Sequence, residues 1–432
     1  MPVTVTYKTI KHSMKVLVGM LGLVLLTSCD LGLFCSTDTY TYNEMVPVYI
    51  TADEMTKIES LAPQPILSSG KIYLHHDWLL INEPEKGIHV LNNSDPAKPV
   101  KLAFIAIPGN HDLLVKQDGD KAILYADNYT DLVTIDISDP GKITVLKRLE
   151  QVFNNFYPQP VPAPGTPEEG ILVGYTEGKQ VTERFRRCPG VVYEAPVDAS
   201  PPPAAGGDVS QGGSLARFAS IADYLYTIDQ DSIQTFHLET PSSPVIFNRV
   251  GVNFGIETLF AYFGDNGQQL YVGGNQGMYI FDASDPANLQ KQGSIDHLQS
   301  CDPVVVQGNL AYITLQGSCF NQINRLEIID VSDPNAPRLI KDYALQEPYG
   351  LGIDGDYLFV CDGAAGLKVY ENARDPLNLN LFKQFAEIQA RDIIPVAGSA
   401  IVIAENGLFQ YDYSALAEGK ITLLSSISIP EK

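Results

Sequence analysis

Short apolar runs recur along the chain, each closed by an acidic or amide residue and then Ser-Asp-Pro. The phrase reads IHVLNNSDP from Ile88 to Pro96, LVTIDISDP from Leu132 to Pro140, MYIFDASDP from Met278 to Pro286 and LEIIDVSDP from Leu326 to Pro334. A worn copy is LKVYENARDP, Leu367 to Pro376. The Asp before Pro falls at 95, 139, 285, 333 and 375, a spacing of 42 to 48 except for one gap of 146. That gap hides IQTFHLETPSSP, Ile233 to Pro244, with Glu239 in the matching place. The 100 residues from 139 to 239 are about one repeat too many, so an insertion lies between them. A last, degenerate copy is LFQYDYSAL, Leu408 to Leu416.

A period near 45 suits a four-stranded propeller blade or a two-helix repeat. The segments are rich in Val, Ile, Tyr, Phe and Thr, which selects strands. Turn signals such as Asp118-Gly119-Asp120, Gly308-Asn309 and Asp354-Gly355-Asp356 separate one strand from the next. Repeats near 62–108, 110–152, 214–250 and 252–297, and three more after 301, predict an all-β, seven-bladed β-propeller of four-stranded antiparallel blades, with six or eight as neighbouring counts. Blades pack face to face, which accounts for unbroken apolar runs such as Pro303 to Val306. Asp and Ser favour tight turns and Pro cannot pair inside a sheet, so Ser-Asp-Pro reads as a structural turn between third and fourth strands.

The phrases LVTIDISDP and LEIIDVSDP resemble the LVIVD repeat, a bacterial family found in β-propellers that are often membrane-anchored lipoproteins. The resemblance spans roughly residues 45–430. It implies the fold and a broad class, and carries over no catalytic residue, cofactor or substrate.

The first 28 residues hold Lys8, Lys11 and Lys15, no acid, and the apolar run Val16 to Leu26, which is too short to span a bilayer comfortably. This reads as a signal peptide. Leu26-Thr27-Ser28-Cys29 resembles a lipoprotein signal, with cleavage before Cys29 and acylation of its thiol. The expected organisation is therefore a signal peptide at 1–28, a lipidated Cys29 with a tether at 29–44, and the propeller at 45–432. The expected location is the bacterial envelope, at the outer membrane or cell surface rather than the inner membrane. The net charge is −22, and loss of the three lysines makes it −25. Such a surface repels nucleic acid and anionic headgroups, so the lipid would be the membrane anchor.

Six cysteines sit in an exported chain, where disulfides persist. A hairpin turning at Gly308-Asn309 brings Cys301 and Cys319 to one end of a sheet, and a disulfide is expected there. Cys361, in YLFVCDG, is expected to be buried. The insertion, about 154–213, is read as largely irregular, with Ile171 to Arg187 forming a hairpin.

First strands line the central channel of a propeller, and the residues leading into them here are polar. Asn110, His111, Asp112, Arg217, Glu257, Asp302, Tyr349, Arg391 and Asp392 are thereby expected at one channel mouth, as a ligand pocket or as staples between blades. Glu83, Asn321 and Asn324 belong to the same rim with weaker claims. His75 and His76 read as packed or surface strand residues. There is no G-x-S-x-G elbow, H-E-x-x-H or P-loop, and no metal-ligand spacing. No cofactor or metal is expected. The expected role is a non-catalytic binding module for an envelope protein or glycan, and the alternative is a hydrolase or lyase using the channel-mouth acids.

Overall fold

The structure, a computed structural model, describes residues 36–153, 171–187, 211–296, 300–301, 303–317, 324–404 and 406–430. The chain divides into two compact units, a small one from 1–48 and 175–200 and a large one from 49–174 and 201–432.

The large unit is seven antiparallel sheets in sequence order, as the repeat predicts. Blade 1 has strands Ile72–His75, Trp78–Glu83, Gly87–Asn92 and Val100–Ala106. Blade 2 runs from Leu113 to Leu149, blade 3 from Phe218 to Gly251, blade 4 from Ile256 to Asp296 and blade 5 from Ser300 to Ala344. Blade 6 runs from Leu351 to Phe385 and blade 7 from Ala390 to Ser428. Two short strands extend blade 1: Gln211–Gly212 adds to its inner edge and Glu59–Leu61 to its outer edge.

The Ser-Asp-Pro phrase makes the predicted turn, and its chemistry repeats. The residue two before Ser caps the Ser N–H: Asp136 accepts from Ser138 at 3.1 Å, Asp282 from Ser284 at 2.8 Å and Asp330 from Ser332 at 3.0 Å. The Asp before Pro then caps the N–H two residues on, as in Asp139 from Gly141 and Asp333 from Asn335, both 3.0 Å. Two successive side-chain caps turn the chain without a ladder, which explains the fixed acid-x-Ser-Asp-Pro wording. Just before this turn, the pairing of third and fourth strands shifts register by one residue in every blade, for example between Ile280 and Phe281. A bulge of this kind sharpens the twist.

Blades are held by side chains that enter their neighbours. At one position of the second strand stand Leu80, Tyr125, Tyr226, Tyr271, Tyr312, Phe359 and Ile401, all buried. Full burial of an aliphatic or phenyl side chain of this size contributes about 1.5–3 kcal/mol. Tyr125 also donates its hydroxyl to the Pro241 carbonyl of the next blade at 2.7 Å.

Among the described residues, no strand is shared between the first and last blades. The ring closes by packing Ile72, Leu79 and Leu91 of blade 1 against Ile394, Ile401 and Leu408 of blade 7. A reciprocal amide pair joins the two: Asn93 Nδ2 donates to Gln410 Oε1 at 2.9 Å, and Gln410 Nε2 to Asn93 Oδ1 at 2.6 Å.

The small unit corrects two expectations. Ser36–Ile50, part of the expected tether, is a 15-residue strand, and Ile171–Arg187, the expected hairpin, is one 17-residue strand; the two pair with each other. Gly178 resembles a turn in sequence but serves close approach. A Cβ there would lie 2.7 Å from Val46 Cγ2 and 2.9 Å from the Glu44 carbonyl oxygen. The segment from Ser36 to Tyr42 is rich in Thr and Tyr, a strand composition whose partner lies far away in sequence.

Candidate functional site

Each first strand begins on the face where the fourth strand of the preceding blade ends. There the incoming loop must be satisfied, and in blades 2 and 6 an acid at the end of the second strand does so. Asp127 accepts from the backbone N–H groups of His111 at 2.8 Å and Asp112 at 2.9 Å, and from Asn110 Nδ2 at 2.7 Å. Asp362 accepts from the N–H groups of Gln346 at 2.9 Å and Glu347 at 2.7 Å, and pairs with Lys368 at 2.6 Å. Asn110 is fully buried, and its side-chain Oδ1 accepts from Asn82 Nδ2 at 2.8 Å.

The predicted residues Asp112, Arg217 and Asp392 converge around a fourth, Lys71, which stands at the corresponding place in blade 1. Asp112 accepts from the N–H of Leu113 and from that of Arg217, both at 2.7 Å, and lies 3.5 Å from Lys71 Nζ. Lys71 also donates to the Leu215 carbonyl. Asp392 accepts from the Ile393 N–H at 3.0 Å and the Ser214 hydroxyl at 3.1 Å, and Ser214 Oγ accepts from the Leu351 N–H at 2.9 Å. Asp392 is enclosed so closely that a Cβ on Gly213 or Gly350 would overlap its carboxylate. Burial pushes Asp112 and Asp392 up to about 6 and Lys71 down to about 7, while the attraction between Lys71 and the two acids opposes each shift. His111 is pushed down to about 4 by burial and then by Arg217.

These acids therefore join blade 2 to blades 1 and 3, and blade 7 to the segment leading into blade 3. Sequence reasoning missed Lys71, Ser214, Asp127 and Asp362. Lys71 could have been found by aligning the start of blade 1 with Asn110-His111-Asp112 of blade 2.

Other predicted residues remain at the surface of the same face. The Arg391 guanidinium lies 4.9 Å from the centre of the Tyr349 ring, and Tyr349 Oη donates to Glu347 at 2.7 Å. Glu257 is half-buried. Phe254, in the loop before blade 4, is 65% exposed, and Tyr129, in the loop after the second strand of blade 2, is half-buried. Glu83 is buried against Lys86 at 2.6 Å and His89 at 2.9 Å. Asn324 is spent on the Gly317 N–H and the Gln346 carbonyl. His75 bonds Gln117 at 3.0 Å, His76 sits in the turn that follows, and Cys361 is buried. Cys29, Asp302, Cys319, Asn321 and the Cys301 side chain lie outside the described residues, and with them the expected acylation and the Cys301–Cys319 bond.

The lumen itself is an off-centre cavity of about 790 Å³, lined by first strands of blades 3 to 7. Its buried end is at Ser214 and Leu351. Of its two exposed lining residues, Ala222 lies in the turn between first and second strands of blade 3 and Phe263 near the end of the first strand of blade 4, on the opposite face.

Among known proteins, the LVIVD repeat family model matches residues 124–149, 266–297 and 300–344, so the chain carries LVIVD repeats in three regions. No curated protein matches the chain. A putative 6-phosphogluconolactonase from Bacteroides fragilis NCTC 9343 superposes with a TM-score of 0.53 at 12% identity, over 85% of this chain and 97% of that one. Its counterpart from Bacteroides uniformis ATCC 8492 gives 0.54 at 12%, over 83% and 96%. A protein from Lactobacillus plantarum gives 0.52 at 14%, over 84% and 98%. At these identities the likeness is one of fold.

Proposed function

We propose that this LVIVD-repeat β-propeller is a non-catalytic binding module, tethered to a membrane of the bacterial envelope through a lipidated Cys29, and that it binds an envelope protein or glycan. A rigid repeat ring supports an interaction role, since such scaffolds carry function on loops rather than in the frame. The observation that carries the reading is the makeup of the face where first strands begin. Its buried acids are engaged with backbone N–H groups, hydroxyls and Lys71, while Phe254, Tyr349 and Arg391 stand at its surface. Aromatic and Arg side chains are the types that dominate binding energy at interfaces.

The hydrolase or lyase alternative needs two carboxylates free to meet a substrate. Asp112 and Asp392 are 2% and 4% exposed, with both oxygens of Asp112 and Oδ1 of Asp392 engaged, which does not favour it. The test is a crosslinking pull-down from native envelope with the wild-type chain and a Phe254→Ala/Tyr349→Ala/Arg391→Ala variant. Loss of the wild-type partner from a folded variant supports the reading, and unchanged capture refutes it.

A further inference from the structure

The lumen offers a different chemistry from the loop face. Among the described residues, no Asp, Glu, Lys, Arg or His lines it. The walls are Ile221, Phe260, Leu351, Ile353, Ile394 and Pro395. Pro395 sits in the first strand of blade 7, where the inner edge has no neighbour and its missing N–H costs no ladder bond. It contacts blade 6 at Gly352, where a Cβ would fall 2.5 Å from Pro395 Cδ. Blades 1 and 2 contribute none of the described wall: Gln211–Gly212 pairs along the inner edge of blade 1, and Tyr73 Oη, donating to the Val115 carbonyl at 3.2 Å, ties blade 1 to blade 2. The void is thereby displaced toward blades 3 to 7.

One end is closed and polar, with Ser214 held by Asp392 and the Leu351 N–H. The other end opens beside Phe263, which is 74% exposed. Nearby, Lys116 is neutralised by Asp223 at 2.9 Å, and Tyr262 Oη is taken by the Gly308 N–H at 2.6 Å. A large aromatic ring left in water at the mouth of an apolar cavity is unfavourable alone and gains by covering an apolar guest. A volume of about 790 Å³ is in the range of small-molecule sites, which are mostly apolar with a few polar groups.

We infer that this channel binds an uncharged, apolar small molecule that enters past Phe263, with at most one hydroxyl, which would donate to Ser214 Oγ. A charged ligand would lose its hydration against walls that hold no counter-charge. The inference is independent of any partner on the loop face, since the opening is on the other side of the ring.

The test uses N-phenyl-1-naphthylamine, an uncharged probe whose fluorescence rises in apolar surroundings, with the full folded chain. Saturable binding of one probe per chain is expected, at least tenfold weaker for the anionic analogue 8-anilinonaphthalene-1-sulfonate. Ser220→Trp, which fills the lumen, is expected to weaken probe binding at least tenfold. Phe263→Ala, at an exposed position that leaves the fold alone, is expected to weaken it at least threefold. The inference is overturned by absence of saturable binding, by equal binding of the anionic analogue, or by unchanged affinity in Phe263→Ala. The last of these decides the matter even if Ser220→Trp does not fold.

Discussion

The amide pair that closes the ring gives the sharpest stability prediction. Gln410 occupies the third-strand position held by Val90, Ile280, Ile328 and Val369 in other blades, and Asn93 the position held by Ile137, Leu238, Ala283 and Val331. Thr134 and Thr235 hold the Gln410 position in blades 2 and 3, so it is an amide pair, buried on both sides, that stands only where blade 1 meets blade 7. Replacing Gln410 by Ile removes two hydrogen bonds and leaves the Asn93 Nδ2 and Oδ1 without partners in an apolar interface. Each orphaned buried atom costs about 1–3 kcal/mol, so Gln410→Ile is expected to destabilise by about 2–6 kcal/mol. Asn93→Val alone should cost a similar amount. The double variant presents the apolar pairing that other blades use, and should fall within about 1 kcal/mol of wild type. Urea unfolding of all four proteins reads this as midpoint shifts, and the cycle should give a coupling of about 2 kcal/mol or more. A single-variant cost below about 0.5 kcal/mol, or a double variant equal to the sum of the singles, would refute the reasoning. Agreement would mean that polar closure specifies which blades meet last, at little net cost in stability.

Asp392 titrates near 6 in the folded chain against 3.8 in the unfolded one, so the folded state binds its proton more tightly. Wild-type stability relative to Asp392→Asn should therefore fall by up to about 3 kcal/mol as pH rises from 4 to 7, and a constant difference in urea midpoints across that range would contradict the burial argument. Gly277 has φ +141°, and a Cβ there would lie 2.1 Å from the Ile295 carbonyl oxygen. Gly277→Ala should cost at least about 2 kcal/mol, whereas Gly308→Ala, at φ +60° with nothing within 4 Å, should cost about 1 kcal/mol; differential scanning calorimetry should rank them in that order. Tyr125→Phe removes the hydroxyl bridge to Pro241 and should cost about 1 kcal/mol in urea unfolding, with no change in the dependence on urea concentration.

The blade count was legible because the turn chemistry is local. An acid two residues before Ser and another before Pro cap the same N–H groups in blades 2, 4 and 5, and Asn92 replaces the first acid in blade 1, so the wording recurs where this capped turn recurs. Glu239 shows the limit: its blade keeps the turn, through the Ser243 N–H to the Thr240 carbonyl at 2.8 Å, without the Asp-Pro wording. Pairing over long separations was not legible. Nothing near Ile171–Arg187 indicates that it pairs with Ser36–Ile50, and Gly178 looks like a turn although it serves close approach. The channel mouth was half legible. Topology placed Asp112, Arg217 and Asp392 together, but Lys71 stands alone among Ser68, Ser69 and Gly70 with no charge pattern to mark it. Whether an acid faces solvent or a backbone N–H depends on the neighbouring blade, which lies outside the reach of a local pattern.

The working surface is tested most directly by photo-crosslinking in native envelope, with a benzoylphenylalanine placed in turn at Phe254, on the loop face, and at Leu377, which is 70% exposed at a third-to-fourth strand turn. The account predicts a discrete adduct from position 254 and none from 377. A discrete adduct from 377 with none from 254 would contradict it.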